Sequence, residues 1–453
     1  MIIVWAYAVF SFESGAQELE EMEPADEVET PAVVITGSRI KPLSPIIERK
    51  TVDFVDLGLS DTYDEGDRIT IQLFDDVRLT ARIVDITIGD NKQVDIVARF
   101  RDDKMGMFLL SYWDDGAIGT IQRKGRVFDL FPVADGKVRV TEFNQGRFPS
   151  ERLPRSPETQ SEDSERVPIQ PQLDERTISH DSDQAPAVVR ILMLAPTSVY
   201  SYACSSRILP RVAGHLARQI NWVWNDAARS QVIARCIDYE PQGHKLVEYV
   251  NGGKCWQNYE ADNEGETLDA DYDWLVDDPD IKQLRDQLRA DLVVMVVPTY
   301  LWCGVATPNG PNVSLADADN PYAVVAFDCM RANYSLQHEL GHLLGMNHDR
   351  DGTSSSLADQ CNYGYICMRN GRVAGRTVMA YYSSCVHQGG TDADCSDRYP
   401  MYSTPDPVIH RGRQADTVCG QPCSSTSNGP EYGAANNYEQ LREAARTVAQ
   451  FRQ

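Results

Sequence analysis

Between residues 50 and 148, apolar and polar positions alternate with a period of two. Ile69-Thr70-Ile71-Gln72-Leu73 and Leu79-Thr80-Ala81-Arg82-Ile83 carry the pattern most clearly, which is the signature of strands with one buried face. Val94 to Phe100, Met107 to Tyr112, Ile118 to Gln122 and Val138 to Phe143 read the same way. Breakers recur between them: Asp75-Asp76, Gly89-Asp90, Asp114-Asp115-Gly116 and Asp135-Gly136. The stretch predicts a small antiparallel sheet domain. From Ala187 the period changes. Val188 to Leu194, apolar apart from Arg190, predicts a buried strand. Over Leu209 to Ala228, the residues Val212, Leu216, Ile220 and Val223 share one helical face. Ile281, Leu284 and Leu288 mark a second amphipathic helix that runs into a strand over Asp291 to Val297. Ala323 to Phe327 predicts another strand just ahead of a third helix. A last helix carries Leu441, Ala445 and Val448. Residues 187–453 therefore predict a mixed α and β domain.

The segments around these domains differ in character. Ile2 to Phe12 is apolar, and Ser14-Gly15-Ala16 follows with small residues; together they predict a signal peptide over 1–16. No Lys or Arg precedes the apolar run, and a buried strand is the alternative. Glu18 to Glu29 holds seven carboxylates, so residues 17–49 predict an acidic, disordered segment. Pro149 to Pro186 holds six prolines and nine acidic residues. Residues 149–186 thus read as an extended, protease-accessible linker, and Arg152-Leu153-Pro154-Arg155 within it as a cleavage site.

Composition narrows the function. Among 453 residues, 67 acidic side chains face 43 basic ones, for a formal net charge of -24. Such a surface repels phosphate backbones, which argues against nucleic-acid binding. No stretch reaches the ~18 apolar residues of a membrane-spanning helix. Eleven cysteines occur, none before Cys204, and that number points to an oxidising compartment with up to five disulfides. The odd cysteine is a free thiol, an intermolecular bridge or a metal ligand.

The chemistry lies in His338-Glu339-Leu340-Gly341-His342-Leu343-Leu344-Gly345-Met346-Asn347-His348-Asp349. His338 and His342 are four residues apart, so on a helix both imidazoles leave one face and can share a Zn²⁺. Glu339 stands one residue on, within reach of a water at the metal. Gly345 lets the chain turn sharply, because glycine tolerates positive φ, and His348 returns as a third ligand. Three neutral imidazoles leave a fourth position for water, the layout of a catalytic zinc site.

Met379, in Thr377-Val378-Met379-Ala380-Tyr381, lies some thirty residues downstream. The two motifs together resemble the metzincin zinc endopeptidases. Asp349 after the third histidine is similar to reprolysin or adamalysin-like members, and Tyr381 departs from the usual adamalysin turn. The better resemblance is to secreted bacterial reprolysin-like peptidases. It covers Ala187 to Gln453, including Asp291-Leu292-Val293-Val294, Cys303-Gly304-Val305-Ala306 and Met401-Tyr402-Ser403-Thr404-Pro405-Asp406-Pro407. The resemblance implies a zincin-like α/β (α+β) fold with a mixed, mostly parallel sheet and an active-site helix over 187–453. It also implies a β-rich pro-domain over 50–148. Met379 would brace the histidines, and Tyr381 would ligate zinc at rest or hydrogen-bond the oxyanion. Cys303 to Thr307 would be the sheet edge to which a polypeptide substrate adds as a strand. It implies the pairs Cys303–Cys329, Cys361–Cys367 and Cys385–Cys395.

These readings predict an exported, monomeric zinc endopeptidase, made as a pre-pro-enzyme. Val33-Val34-Ile35-Thr36-Gly37-Ser38-Arg39-Ile40 resembles the segment that opens the plug of TonB-dependent transporters, a lean toward a Gram-negative source. Residues 1–203 hold no cysteine, so latency through a pro-region thiol on zinc is excluded for any pro-segment that ends in the linker. The pro-region is then an inhibitor by another route, a folding aid, or both. Asp269, Asp271 and Asp273 have the spacing that starts a calcium loop, but Trp274 stands where glycine is required. Structural Ca²⁺ elsewhere stays open. The rival reading is a binding or adhesion module that keeps the fold without catalysis.

Overall fold

The computed structural model describes residues 44–60, 62–89, 92–151, 185–196, 208–237, 267–297, 302–350, 361–406, 417–423 and 434–452. The expected signal peptide, most of the acidic segment, the transporter-like run and residues 152–184 of the linker lie outside them.

Strands β1 (Ile46–Asp53), β2 (Arg68–Phe74), β3 (Val77–Ile88), β4 (Val94–Arg99), β5 (Met107–Trp113), β6 (Gly116–Arg123), β7 (Arg126–Val133) and β8 (Lys137–Phe143) form one sheet. Its order is β1-β8-β7-β6-β5-β4-β3-β2, and neighbours pair antiparallel. Two of these strands, β1 and β7, go beyond those expected from the alternation. The centre of the sheet is covered on both faces, so every residue of β5 is buried. Phe108, Leu110 and Tyr112 enter the sheet's own core. Met107, Leu109 and Trp113 point the other way, into a core shared with the rest of the chain.

The second sheet holds β9 (Ala187–Pro196), β10 (Ala228–Ile237), β11 (Leu292–Val297), β12 (Gly304–Ala306) and β13 (Tyr322–Ala326), in the order β10-β9-β11-β13-β12. The β10/β9, β9/β11 and β11/β13 pairs are parallel, and β12 pairs antiparallel with β13 at the edge. All six residues of β11 are buried, as expected of a strand covered on both faces. The helix Leu209–Trp224 stops well short of Ala228. Asn225 and Asp226 take φ values of 43° and 69° and turn the chain back into β10. The buried face of this helix, with Val212, Leu216, Ile220 and Val223, meets Met107, Leu109, Trp113, Ile118 and Phe131 of the first sheet in one core.

Polar bonds reinforce that junction. Arg331 donates to both oxygens of Asp129 at 2.7 and 2.8 Å, with both side chains buried. Gln145 donates to Ala332 O at 2.7 Å, and Tyr334 Oη donates to Gln122. Arg331, Ala332 and Tyr334 lie just before the helix Ser335–Leu343.

Strands β14 (Ile366–Arg369), β15 (Arg372–Arg376) and β16 (Thr417–Val418) make a third, small sheet. Disulfides join Cys303 to Cys329 and Cys385 to Cys395, as the resemblance implied. The pair Cys361–Cys367 does not form. Cys361 joins Cys423, and Cys367 joins Cys419. The cause is strand pairing: β14 aligns Met368 with Val418 and Arg369 with Thr417, which brings the Cys367 and Cys419 Cα atoms to 4.3 Å.

Candidate active site

The helix Ser335–Leu343 is buried along its whole length. Its sequence explains this, since Leu336, Leu340 and Leu343 join the main core while the polar residues between them turn to the site. After it, Gly345 takes φ +78°, and a β-carbon there would lie 2.5 Å from Gly310 O. Only glycine fits, and the turn returns His348 to the helix. The three Nε2 atoms converge: His338 to His348 at 3.0 Å, His342 to His338 at 3.1 Å, His342 to His348 at 3.0 Å. Among the described residues this is the one group of three His, Cys, Asp or Glu side chains placed to share an ion.

The opposite ring nitrogens are tied down. His338 Nδ1 donates to Val378 O at 2.9 Å, and His342 Nδ1 to Met346 O at 3.0 Å. That tautomer leaves the Nε2 lone pairs facing one another, which is costly unless a cation lies between them. Burial also depresses the imidazoles, His338 to about 4 and His342 to about 3, and His348 well below its ordinary value. They are therefore neutral, as ligands must be. A tetrahedral metal with nitrogens at about 2.0–2.1 Å spaces them about 3.3 Å apart. The observed cluster is within a few tenths of an ångström of that, so the residues fit a metal.

Glu339 is fully buried, and neither carboxylate oxygen has a hydrogen-bond partner among the described residues. Burial pushes its carboxyl well above the usual carboxylate range, and the charge of Glu151 adds to the effect. Gly304 of β12 passes directly over it, so close that a β-carbon would stand 2.6 Å from Oε1. Tyr381 Oη lies 2.9 Å from His348 Nε2, and burial raises its phenol. Met379 is buried beneath the helix, where a β-carbon on Gly341 would meet its sulfur at 2.5 Å. All six residues singled out in the sequence thus come together.

Apart from Asp349, which the resemblance singled out, the other contributors carried no local signal. Asp349 Oδ2 accepts from Tyr381 N at 2.7 Å and ties the third histidine's loop to the Met379 turn. Asn309, beyond β12, donates to His342 O at 3.2 Å and through Nδ2 to Leu343 O at 2.7 Å, closing the helix's C-terminal end. Arg398 reaches His338 from behind.

The sequence relationships agree with this geometry. A profile of Reprolysin_5, metallo-peptidase family M12, matches residues 247–393. A peptidyl-Asp metalloendopeptidase of Xanthomonas campestris pv. campestris is 27% identical over 283 residues, 62% of this chain and 60% of that protein. One from Stenotrophomonas maltophilia is 25% identical over 284 residues, 62% of this chain and 61% of its own. The chain spans about 60% of the length of these curated relatives. Metalloproteinase-II from Bacteroides fragilis is similar over 62% of this chain and 81% of its own, at 14% identity and a TM-score of 0.34. Over residues 247–393 the chain is thus similar to the reprolysin-like metallopeptidases.

Proposed function

We propose that this chain is a zinc-dependent endopeptidase, exported by a Gram-negative bacterium as a pre-pro-enzyme. The observation that carries the reading is three converging Nε2 atoms beside the buried carboxylate of Glu339, which has no hydrogen-bond partner among the described residues and shares its helix with His338 and His342. His338, His342 and His348 would hold zinc. When bound, the metal polarises the scissile carbonyl and makes a water acidic.

The chain's own residues do the rest. Glu339 takes the proton of the attacking water and later passes it to the leaving amine. No other hydrogen-bond partner among the described residues competes for either oxygen. Tyr381 donates from Oη to the oxyanion as the carbonyl carbon becomes tetrahedral. Met379 and the Val378 carbonyl keep His338 in place. The edge of β12, which pairs only with β13 among the described strands, takes a polypeptide as an added antiparallel strand, so main-chain bonds supply affinity. The relatives' names add a narrower proposal, cleavage beside aspartyl residues.

Hydrolysis of fluorogenic casein, with and without a zinc chelator, tests the reading against Glu339→Gln. Chelator-sensitive turnover that falls about 10²-fold or more in the variant is the expected result. Turnover that survives both treatments refutes it. A peptide panel varied around the scissile bond tests the aspartyl preference.

A further inference from the structure

The first sheet ends on a carboxylate that reaches the metal site from behind. Phe148 packs beside Cys303, Ala326 and Cys329, and Ser150 O accepts from Cys303 N at 3.1 Å. Glu151, next along, is only 5% exposed. Its Oε1 accepts from Arg398 Nη1 at 2.6 Å, Ser335 Oγ at 3.1 Å and Asn333 Nδ2 at 3.3 Å. Arg398 is fully buried. Its Nη1 also donates to Asn333 O at 2.6 Å, and its Nε to Val378 O at 3.0 Å. Its Nη2 lies 2.8 Å from His338 Nδ1.

This arrangement sets a guanidinium against a metal ligand. Arginine keeps its protons, so beside Nδ1 it opposes the tautomer in which that nitrogen donates to Val378 O. It also puts a positive charge behind an imidazole that would face a dication. Both effects weaken metal binding unless the charge is cancelled in place. Glu151 cancels it, and its hydrogen bonds hold the guanidinium toward Asn333 O and Val378 O.

We propose that Glu151 is a positioning residue for the metal site: it neutralises and orients Arg398, so that His338 keeps its Nε2 lone pair toward the cluster. The residue belongs to the stretch that leaves the N-terminal sheet. The sheet is therefore a working component of the metallopeptidase rather than only its cover. This inference rests on the metal-site reading above.

Zinc affinity of the full chain, measured by competition with a chromophoric chelator, is the test. Loss of an outer partner of a metal ligand costs roughly 10–100-fold in affinity, and Glu151→Gln should show that loss. Glu151→Gln with Arg398→Met removes the cation too, and should recover affinity to within about fivefold of the parent. A folded Glu151→Gln chain with unchanged zinc affinity overturns the proposal, even if its melting temperature falls. So does a double variant as weak as the single one. Where Glu151→Gln does not fold, the double variant decides. Restored folding and affinity support the proposal, and a misfolded or weakly binding protein overturns it. A parent chain that binds no zinc instead refutes the metal-site reading itself.

Discussion

Gly304→Ala is a direct probe of where the carboxylate of Glu339 stands. The added methyl would lie 2.6 Å from Oε1, 2.8 Å from Cγ and 2.9 Å from Cδ of Glu339. Ordinary contacts begin near 3.5 Å, so something must move by about 0.6–0.9 Å. The strand cannot easily yield. Gly304 is paired with Val325 in β13, and the preceding residue is held by the Cys303–Cys329 disulfide. The carboxylate therefore moves. Misplacement of a reacting group by about 1 Å can cost 10²-fold in rate, and overpacking costs about 1–3 kcal/mol of stability. The expected variant has kcat/KM on casein reduced about 30–100-fold, a melting temperature lower by a few degrees, and unchanged zinc content. The loss should be non-additive: Gly304→Ala in a Glu339→Gln background should do little further harm. Full activity in Gly304→Ala, or a loss that simply adds to that of Glu339→Gln, would refute the placement of Glu339 beneath the strand.

Three further outcomes are expected. Asp129→Ala removes the carboxylate that pairs with the buried Arg331 guanidinium and should cost about 3–5 kcal/mol in urea unfolding. Asp397 is pushed up to about 7, first by burial and then by the nearby charge of Asp103. Its folded form thus holds a proton that the unfolded chain releases near pH 4. Stability should fall as pH rises from about 4 through about 7 and then level off; melts of Asp397→Asn across that window should lack the slope. Protein cut between residues 152 and 184 should elute as one complex on size exclusion, because Met107, Leu109, Trp113, Ile118 and Phe131 share a core with the helix Leu209–Trp224. Separation of the two pieces without denaturant would contradict that core.

How much could be read in advance follows from how local each interaction is. Three histidines and Glu339 fall within eleven consecutive residues, so helical period and one glycine turn suffice to gather them. Met379 and Tyr381 sit 31 and 33 residues after His348; no periodicity connects them, and only resemblance did. Glu151 and Arg398 are 247 positions apart, and neither sits in a motif. Their meeting depends on how the first sheet docks against residues 331–335. Gly304 likewise matters only because an edge strand crosses above the helix. The cystines follow the same rule. Cys385 and Cys395 are ten residues apart and pair around a short turn, whereas Cys367 finds Cys419 because β14 recruits a strand from 52 residues away. The alternating pattern of the first sheet was misleading in one respect. Alternation suggests one wet face, but β5 and β6 are buried on both. The second face belongs to the core shared with the second sheet, and bared to water it would expose Met107, Leu109, Trp113, Ile118 and Phe131 together with the helix they cover. At roughly 1.5–3 kcal/mol for each large side chain, that exposure rivals the whole stability of a typical domain. A sheet held so strongly, and ending on the carboxylate that neutralises Arg398 behind His338, is placed to stay with the site it supports.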